Sequence, residues 1–290
     1  MKFSLVLATL GRVGEVEQFL ASLALQTYQA FELIVVDQNP DDRLLPLIES
    51  YRAQFPILHL RSEKGLSRAR NVGLKHLSGD IVAFPDDDCA YLPTVLEQVA
   101  AFFSTHSQWN GLTGRSINQA GENSGGRWVS HPEPVNRFNV WQRGISYTIF
   151  LRRSVVTSVG LFDEQLGVGA GTPWGAAEET DYLLRALDAG IYYNPEIRII
   201  HPVLVTPATP EPSPDAPVQP PKKQFLKTYA YALGMGYVLR KHNTVWWFVL
   251  YNWGRPSLGL LLSLVRGQFD QVRSYWATLR GRVRGWMQWA

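Results

Sequence analysis

Three consecutive carboxylates, Asp86, Asp87 and Asp88, stand directly after the apolar run at residues 81–84. That run has the length and β-branched content of a buried strand, so the carboxylates are expected at the strand's carboxyl end. Ligands of open α/β sheets bind at this edge, and clustered carboxylates repel one another unless a cation is bound. Mg²⁺ prefers oxygen ligands and usually takes one or two carboxylates together with substrate phosphates. The pattern therefore favours a site for a metal ion and a phosphate, against the alternative of a solvated acidic turn.

The elements that must position these aspartates alternate between strand and helix. We expect strands at 3–8, 32–37, 57–61 and 81–85, and helices at 15–22, 45–54, 67–76 and 93–103. This alternation indicates an α/β fold with a mostly parallel sheet flanked by helices. Later elements are a helix at 154–159, a helix at 178–189 that Gly190 closes, and a last strand at 192–201. Residues 110–150 are rich in Gly, Asn and Ser, which predicts loops with one or two strands.

Charge and proline content divide the chain. Residues 1–221 carry 17 basic and 24 acidic residues, whereas residues 222–290 carry 11 basic residues and one acidic residue. Eight prolines lie between residues 202 and 221, a composition that interrupts both helices and sheets. We therefore expect an α/β domain at 1–202, a linker at 203–221 and a helical tail at 222–290.

The tail has the composition of a membrane-binding segment. Residues 245–265 are almost wholly apolar, but Arg255 and Pro256 lie at their centre, which favours a bent, shallowly inserted pair of segments over a simple span. Further on, five apolar residues spaced by four and three residues share one helix face flanked by arginines: Val272, Trp276, Leu279, Val283 and Trp286. We expect residues 243–290 to bind a membrane surface, the alternative being a helix packed on the first domain.

Several classes of protein are disfavoured. One cysteine, Cys89, excludes an internal disulfide framework and is expected to be a small buried hydrophobe. The first residues are expected to form a strand rather than a signal peptide. The basic tail is rich in Trp and Leu and the preceding part is acidic, which argues against nucleic acid as a partner. No catalytic triad, zinc spacing, Walker A or dinucleotide fingerprint is present in the sequence.

Five segments in order carry a resemblance to a known family: LVLATLGR, LIVVDQNP, KGLSRARNVGL, FPDDDC and WGAAEETDYLLRALDAG. Over about residues 1–202, the chain resembles family 2 glycosyltransferases, inverting enzymes with the GT-A fold. The tail is similar to those of bacterial members. The resemblance implies metal-dependent transfer of a sugar from a nucleotide-sugar donor (UDP-, GDP- or dTDP-linked) to a lipid-linked or polysaccharide acceptor. It places the protein at the cytoplasmic face of the bacterial inner membrane, peripheral or monotopic.

For the metal, the resemblance assigns Asp86 and Asp88 to the outer positions of the DxD motif, with Mg²⁺ or Mn²⁺ as the cofactor. Asp88 is the expected metal ligand, and Asp86 is expected to contact the ribose or the metal through water. Asp87 is the variable middle position and is expected to point away. His201, at the end of the last strand, is a candidate third ligand or a structural residue.

For the donor nucleobase, the resemblance assigns Asp37 as the acceptor of a base N–H. Gln38 stands where the family often has a second acid, which leaves the identity of the base open. The alternative for Asp37 is an Asx turn through Asn39.

For the rest of the donor, Thr9 and Arg12 follow the first strand and are expected to contact base or phosphate. Arg70 holds the basic position that the family places beside the nucleotide. Gly65 permits close approach of the backbone.

For catalysis, Glu178 and Glu179 match the family's Glu-Asp pair at the start of a helix. Glu179 stands at the position of the usual aspartate and is the expected general base for the acceptor hydroxyl. The alternative is that both acids complement the helix dipole. Trp174 and Gly175, just before them, are expected to form an acceptor platform, or else to pack structurally.

Two other functions were weighed. A sugar-nucleotide pyrophosphorylase has a Gly-rich basic loop after its first strand, and residues 7–15 hold too few glycines for one. A non-catalytic, membrane-docked protein that binds nucleotides or glycans is disfavoured by the acids at 86, 88 and 179.

Overall fold

The computed structural model describes residues 1–201 and 221–288, without the side chains of 221–224. These residues form two compact units. The sheet unit comprises residues 1–162 and 182–201, and the helical unit comprises residues 163–181 and 221–288. The predicted linker at 203–221 lies outside the described residues except for Pro221, at which a helix begins. The linker therefore stays a prediction.

The described strands of the sheet unit form one mixed sheet. They are β1 (Phe3–Thr9), β2 (Phe31–Asp37), β3 (Ile57–Arg61), β4 (Ile81–Ala83), β5 (Ala90–Tyr91), β6 (Gly111–Ile117), β7 (Glu133–Pro134), β8 (Ile149–Arg152) and β9 (Ile191–Ile200). The order is β3-β2-β1-β4-β8-β6-β9-β5, and β7 pairs with β9. The four predicted strands β1–β4 pair in parallel. Antiparallel β8 joins β4 to β6, within the region predicted to hold loops and one or two strands.

Helices cover both faces of this sheet. They are α1 (Val13–Ala24), α2 (Leu45–Tyr51), α3 (Leu66–Leu74), α4 (Val95–Thr105), α5 (Val140–Arg143), α6 (Arg153–Val159) and α7 (Glu178–Ala186), of which α7 begins in the helical unit. Successive residues of a strand point to opposite faces. Accordingly Leu5 and Leu7 belong to one core cluster and Val6 and Ala8 to the other. Because both faces are buried, β1 is apolar at almost every position. Cys89 is fully buried, as predicted.

The helical unit contains three long helices, α8 (Pro221–Lys241), α9 (Trp246–Val265) and α10 (Phe269–Met287). Glycines allow α8 and α10 to pack closely. A Cβ atom added to Gly236 would lie 2.2 Å from the carbonyl oxygen of Arg282, and one added to Gly285 would lie 2.1 Å from that of Leu233. The two backbones therefore touch where any larger residue would separate them.

Residues 246–265 form a single helix that continues through Pro256, so the predicted pair of shorter segments is wrong. Proline lacks the N–H that would bond to the carbonyl four residues earlier, here that of Asn252. The guanidinium of Arg282 donates to this oxygen at 2.6 Å. Burial of Arg282 lowers its pKa to about 10. The continuity of α9 thus depends on a contact with α10 that the local sequence does not reveal.

Helix α9 carries most of its large apolar residues on the outside. Nine large hydrophobic side chains of this helix are each at least 46% exposed, and we call them the outer face of α9. They are Trp246, Trp247, Leu250, Tyr251, Leu258, Leu261, Leu262, Leu264 and Val265. At 100° per residue they fall within an arc of about 160°. The opposite side buries Phe248, Val249, Asn252, Pro256 and Ser263. Trp286, predicted on a lipid-facing stripe of α10, is instead buried beside Trp246.

Within the described residues, no helix has both the length and the hydropathy that crossing a bilayer requires.

Candidate active site

The predicted donor residues of the sheet unit follow the carboxyl ends of parallel strands. Thr9 ends β1 and is the register partner of Asp37, which ends β2. Strand β4 pairs with β1 on its other side and leads into Asp86. Hydrogen bonds join Thr9 and Arg12 to Asp87 and Asp88, and Arg70 to Asp86, as described below.

Asp86 faces a buried arginine. Arg70 Nη2 lies 3.1 Å from Asp86 Oδ1, and the Ser146 hydroxyl donates to the same oxygen at 3.1 Å. The Arg70 side chain is only 1% exposed, and its guanidinium lies over the Phe162 ring. Burial raises the pKa of Asp86 and the charge of Asp88 adds to this rise, while Arg70 opposes it.

Asp87 is not grouped with the candidate metal ligands Asp86 and Asp88, and its side chain is bound within the protein. The Thr9 hydroxyl donates to Asp87 Oδ2 at 2.7 Å, and Arg12 Nη1 donates to Oδ1 at 2.8 Å. Burial raises the pKa of Asp87 to about 6, although Arg12 and Thr9 oppose the rise. Thr9 and Arg12, assigned to base or phosphate, therefore also fix the loop that carries the aspartates.

Asp88, Asp86 and His201 form a cluster that could hold a cation. One ligand atom from each lies within 4.8 Å of the others, and the three residues are partly exposed. His201 Nε2 lies 3.1 Å from Asp88 Oδ1, and Arg12 Nη1 lies 2.6 Å from Asp88 Oδ2. Burial raises the pKa of Asp88, but the hydrogen bond and charge of His201, together with Arg12, outweigh it and lower this pKa to about 2.

This donor set fits a divalent cation. Two carboxylate oxygens and one imidazole nitrogen suit Mn²⁺, and the oxygens alone suit Mg²⁺. The His201 ring stacks on Tyr147 at 4.4 Å between centroids, which fixes its orientation. Its Nδ1 is buried without a hydrogen-bond partner among the described residues, so Nε2 is the nitrogen that faces the aspartates.

Asp37 is fully buried, and four groups from Asn39, His59 and Arg61 contact its carboxylate. Its Oδ1 accepts from the backbone N–H and the side-chain amide of Asn39 at 2.8 and 2.7 Å. Its Oδ2 lies 3.1 Å from His59 Nε2 and 2.9 Å from Arg61 Nη1. The Asx turn through Asn39 weighed from the sequence is therefore present. Contact with a nucleobase stays a prediction and would use an oxygen that these groups already share.

Gly65 precedes α3 and has a φ of 140°, a conformation that only glycine adopts readily. Its N–H donates to Gln38 Oε1 at 2.8 Å. Gln38, which stands where the family often has a second acid, thus holds the loop at Gly65.

The predicted catalytic acids begin helix α7, in the helical unit. Glu178 is buried and Glu179 is partly exposed. Both stand in the first turn, where the helix dipole favours negative charge. Ala177, just before them, has a φ of 77° although it is not glycine. Such backbone strain is concentrated at functional sites. Asp181, two residues beyond Glu179, is fully buried.

The predicted acceptor platform contacts α8. The Trp174 ring lies 4.2 Å from the Tyr237 ring, and the Gly175 N–H donates to Ala230 O at 3.2 Å. One face of the indole is therefore covered by protein. A sugar ring would stack on the other face, so the platform stays a prediction.

Four residues near these groups were missed. Ser146 and Tyr147 support Asp86 and His201 from a region without a readable motif. Lys241 and His242 bind Asp181 at 2.8 Å each, but within a basic tail their sequence gives no signal of this role.

A mixed α/β sheet with acids at the carboxyl ends of its parallel strands is the arrangement of the GT-A glycosyltransferases. The model of the family described as "Glycosyl transferase family 2" matches residues 4–153, more than half of the 290 residues. The chain therefore belongs to glycosyl transferase family 2.

Relatives and solved structures agree. Poly(ribitol-phosphate) β-N-acetylglucosaminyltransferase TarS of Staphylococcus aureus is 31% identical over 131 residues, which cover 41% of this chain and 23% of TarS. The crystal structure of S. aureus TarS 1–349 in complex with UDP-GlcNAc matches with a TM-score of 0.55 and 17% identity, over 98% of this chain and 92% of that one. Mannosyltransferase PcManGT from Pyrobaculum calidifontis, in complex with GDP-Man and Mn²⁺, matches with a TM-score of 0.62 and 11% identity, over 99% and 87%. At these identities the structural matches show the GT-A fold. The matched segment spans less than a quarter of TarS.

Proposed function

We propose that this protein is a metal-dependent inverting glycosyltransferase that uses a nucleotide-sugar donor. The observation that carries the proposal is the meeting of Asp86, Asp88 and His201 within 4.8 Å beside the carboxyl ends of β1 and β4. In support, structural neighbours are solved with UDP-GlcNAc and with GDP-Man and Mn²⁺. Family 2 membership makes sugar transfer the chemistry to test first.

In the proposed reaction, Asp88, Asp86 and His201 hold Mn²⁺ or Mg²⁺. The cation, when bound, stabilises negative charge on the departing diphosphate. Arg70 and Ser146 orient Asp86, while Arg12 and Thr9 hold the loop in place.

Glu179 is the proposed general base. The acceptor hydroxyl oxygen bonds to the anomeric carbon from the face opposite the diphosphate, and its proton moves to Glu179. The bond between the anomeric carbon and the diphosphate oxygen breaks, and its electron pair leaves with the diphosphate. Configuration at that carbon is thereby inverted.

Calorimetric titration of the full chain tests the donor half of this proposal. UDP, GDP and dTDP, and then UDP-GlcNAc and GDP-Man, are titrated with Mn²⁺ and again with EDTA. We expect one nucleotide to bind in a metal-dependent manner, with a stabilising shift in melting temperature that follows mass action. The absence of metal-dependent binding for all three nucleotides would contradict the proposal.

The protein's proposed acceptor is lipid-linked or polysaccharide, at the cytoplasmic face of the bacterial inner membrane. Support comes from the outer face of α9, which exposes Trp and Leu side chains. Ten positive charges in excess between residues 222 and 290 suit an anionic lipid surface. A helix with this pattern lies in the interface with its apolar side among the acyl chains.

Vesicle sedimentation tests this location. We expect the protein to bind vesicles of phosphatidylglycerol and phosphatidylcholine, and to bind phosphatidylcholine alone more weakly. The double variant Leu250→Gln/Leu261→Gln is expected to lose at least about tenfold in binding, because burying each leucine contributes about 1.5–3 kcal/mol. Leu25→Gln is the matched control, since Leu25 is 68% exposed in the sheet unit. Wild-type protein that stays in the supernatant with anionic vesicles would rule out the docking.

A further inference from the structure

One side of helix α8 lies along the segment that leads into Glu179. Ala230, Gly234, Tyr237 and Lys241 are spaced by four, three and four residues, so they share one side of the helix. We call these four residues the clamp face. Each contacts the segment 163–181, which belongs to the same helical unit.

The first two residues of the clamp face, Ala230 and Gly234, contact the backbone of the segment. The Gly175 N–H donates to Ala230 O at 3.2 Å. A Cβ atom added to Gly234 would lie 2.2 Å from the carbonyl oxygen of Ala176. Since that neighbour is backbone, it cannot move aside as a flexible side chain would. Helix and segment therefore meet at a distance that only glycine permits.

The next residue along the segment is strained. Ala177 has a φ of 77° and lies directly before the two glutamates. A positive φ is unfavourable for a residue with a Cβ atom, because the Cβ comes too close to the following carbonyl oxygen. It persists where the surroundings hold it, and the surroundings here include the contact of Gly234 with Ala176.

The last contacts of the clamp face are ionic. Lys241 Nζ lies 2.7 Å from Asp163 Oδ2 and 2.8 Å from Asp181 Oδ1, so it joins both ends of the segment. His242 Nε2 also lies 2.8 Å from Asp181 Oδ1. Asp181 is fully buried, and a buried carboxylate left without its cation strongly destabilises the surrounding structure. The chain is thus held at Ala176, before Glu179, and at Asp181, after it.

We propose that the clamp face of α8 is a positioning device for Glu179, an inference that rests on the proposed role of that residue as the base. It acts through the strained backbone at Ala177 and through Asp181. The tail is then a part of the catalytic machinery as well as a membrane-binding element. Changes in α8 should alter proton removal from the acceptor without altering donor binding.

Two variants and their controls test the clamp. Gly234→Ala introduces the Cβ that would overlap Ala176 O, and Gly254→Ala is its matched control, because a Cβ there meets nothing within 4 Å. Lys241→Met removes the cation, and Lys241→Arg restores it. We expect Gly234→Ala and Lys241→Met to lower kcat about 100-fold, an effect that a displacement of about 1 Å can have. The donor Kd is expected to stay unchanged, and Lys241→Arg to recover most of the kcat.

Hydrogen–deuterium exchange on the same full-length proteins separates this inference from the proposed function. We expect amides 175–182 to exchange at least tenfold faster in both disruptive variants, with β1, β2 and β4 unchanged. If the wild type transfers no sugar, the proposed function fails, and exchange alone decides whether the clamp exists. Unchanged exchange in both variants would overturn it. A wild-type kcat in both disruptive variants would also overturn it. The same holds if the kcat of Lys241→Arg is no higher than that of Lys241→Met.

Discussion

The sheet unit and the helical unit are packed in opposite ways. The sheet unit buries Val, Ile, Leu and Phe on both faces of its strands and presents carboxylates at the strand ends. The helical unit brings helices together through small residues such as Gly236 and Gly285, and it exposes Trp and Leu on α9. Small residues at helix contacts with apolar residues outside are typical of helices that pack in lipid. The comparison teaches that two units of one chain reach close packing by different means.

The proposed chemistry is divided in the same way. The proposed donor and metal residues belong to the sheet unit, whereas the proposed base and its clamp belong to the helical unit. Substitutions in the two units should therefore fail in different steps, and the following predictions compare these failures.

Glu179→Gln is expected to have the largest effect. Gln keeps the size of the side chain but cannot accept the acceptor's proton, so kcat should fall by about 10²–10⁴-fold. Calorimetry should show an unchanged donor Kd, because the donor residues lie in the other unit. Full turnover by this variant would exclude Glu179 as the base.

Asp88→Asn is expected to impair donor binding rather than proton removal. The loss of one carboxylate from the Asp86–Asp88–His201 cluster should remove the metal-dependent part of the donor affinity, at least about tenfold, since Mg²⁺ sites depend on only one or two carboxylates. Donor titrations with Mn²⁺ and with EDTA measure this part. Asp270→Asn is the matched control, because Asp270 is 95% exposed in α10. Equal metal-dependent affinity in Asp88→Asn and wild type would remove the metal role.

The sequence predicted the strands of the sheet unit that lead to the candidate site. Apolar runs marked β1 to β4, and acids at the ends of β2 and β4 marked the edge of the sheet. His201 was placed correctly beside the aspartates because the last strand ends there. The turn of Asp87 toward Thr9 was missed, since a run of three aspartates gives no alternation from which to read side-chain direction.

The helical unit could not be predicted to the same depth. Its apolar residues were evident, but which of them face outward depends on how α8, α9 and α10 pack. Trp286 is buried because Gly281 and Gly285 bring α10 against α8. The role of Lys241 depends on Asp163 and Asp181, which lie some 60 to 80 residues earlier. No local pattern encodes such a contact.

Gly285→Ala tests whether close packing defines the helical unit. The added Cβ would lie 2.1 Å from Leu233 O, and because a backbone oxygen cannot yield, α8 and α10 should separate. Overpacking of this kind costs about 1–3 kcal/mol. Near-ultraviolet circular dichroism, to which six of the ten tryptophans contribute from the tail, should show a lower melting temperature. The control Gly254→Ala adds a methyl group in open space, so it should stabilise α9 by up to about 1 kcal/mol. Equal melting temperatures for Gly285→Ala and wild type would contradict the packing.

Glu32→Gln, the smallest change, tests the sheet unit at the strand edge opposite the site. Glu32 accepts hydrogen bonds from Ser4, from Ser78 and from Lys2 Nζ at 2.9 Å. Burial raises its pKa, but these bonds outweigh burial and lower the pKa to about 2. The stabilisation is therefore present above the unfolded pKa of about 4.3 and is lost as the pH falls toward 2.

At pH 7 the variant should be less stable by about 1 kcal/mol, a figure reduced because solvent screens a partly exposed network. The free energy of unfolding of variant and wild type is measured in urea at pH 7 and at pH 3. The difference between the two proteins should be smaller at pH 3. Glu63→Gln, with a side chain 86% exposed, should show no such convergence. Glu32 lies near the start of β2, whereas Asp37 of the candidate site lies at the end of that strand. The loss of the Glu32 charge should therefore leave donor binding unchanged. A weakened donor affinity would show that the two edges of the sheet are coupled.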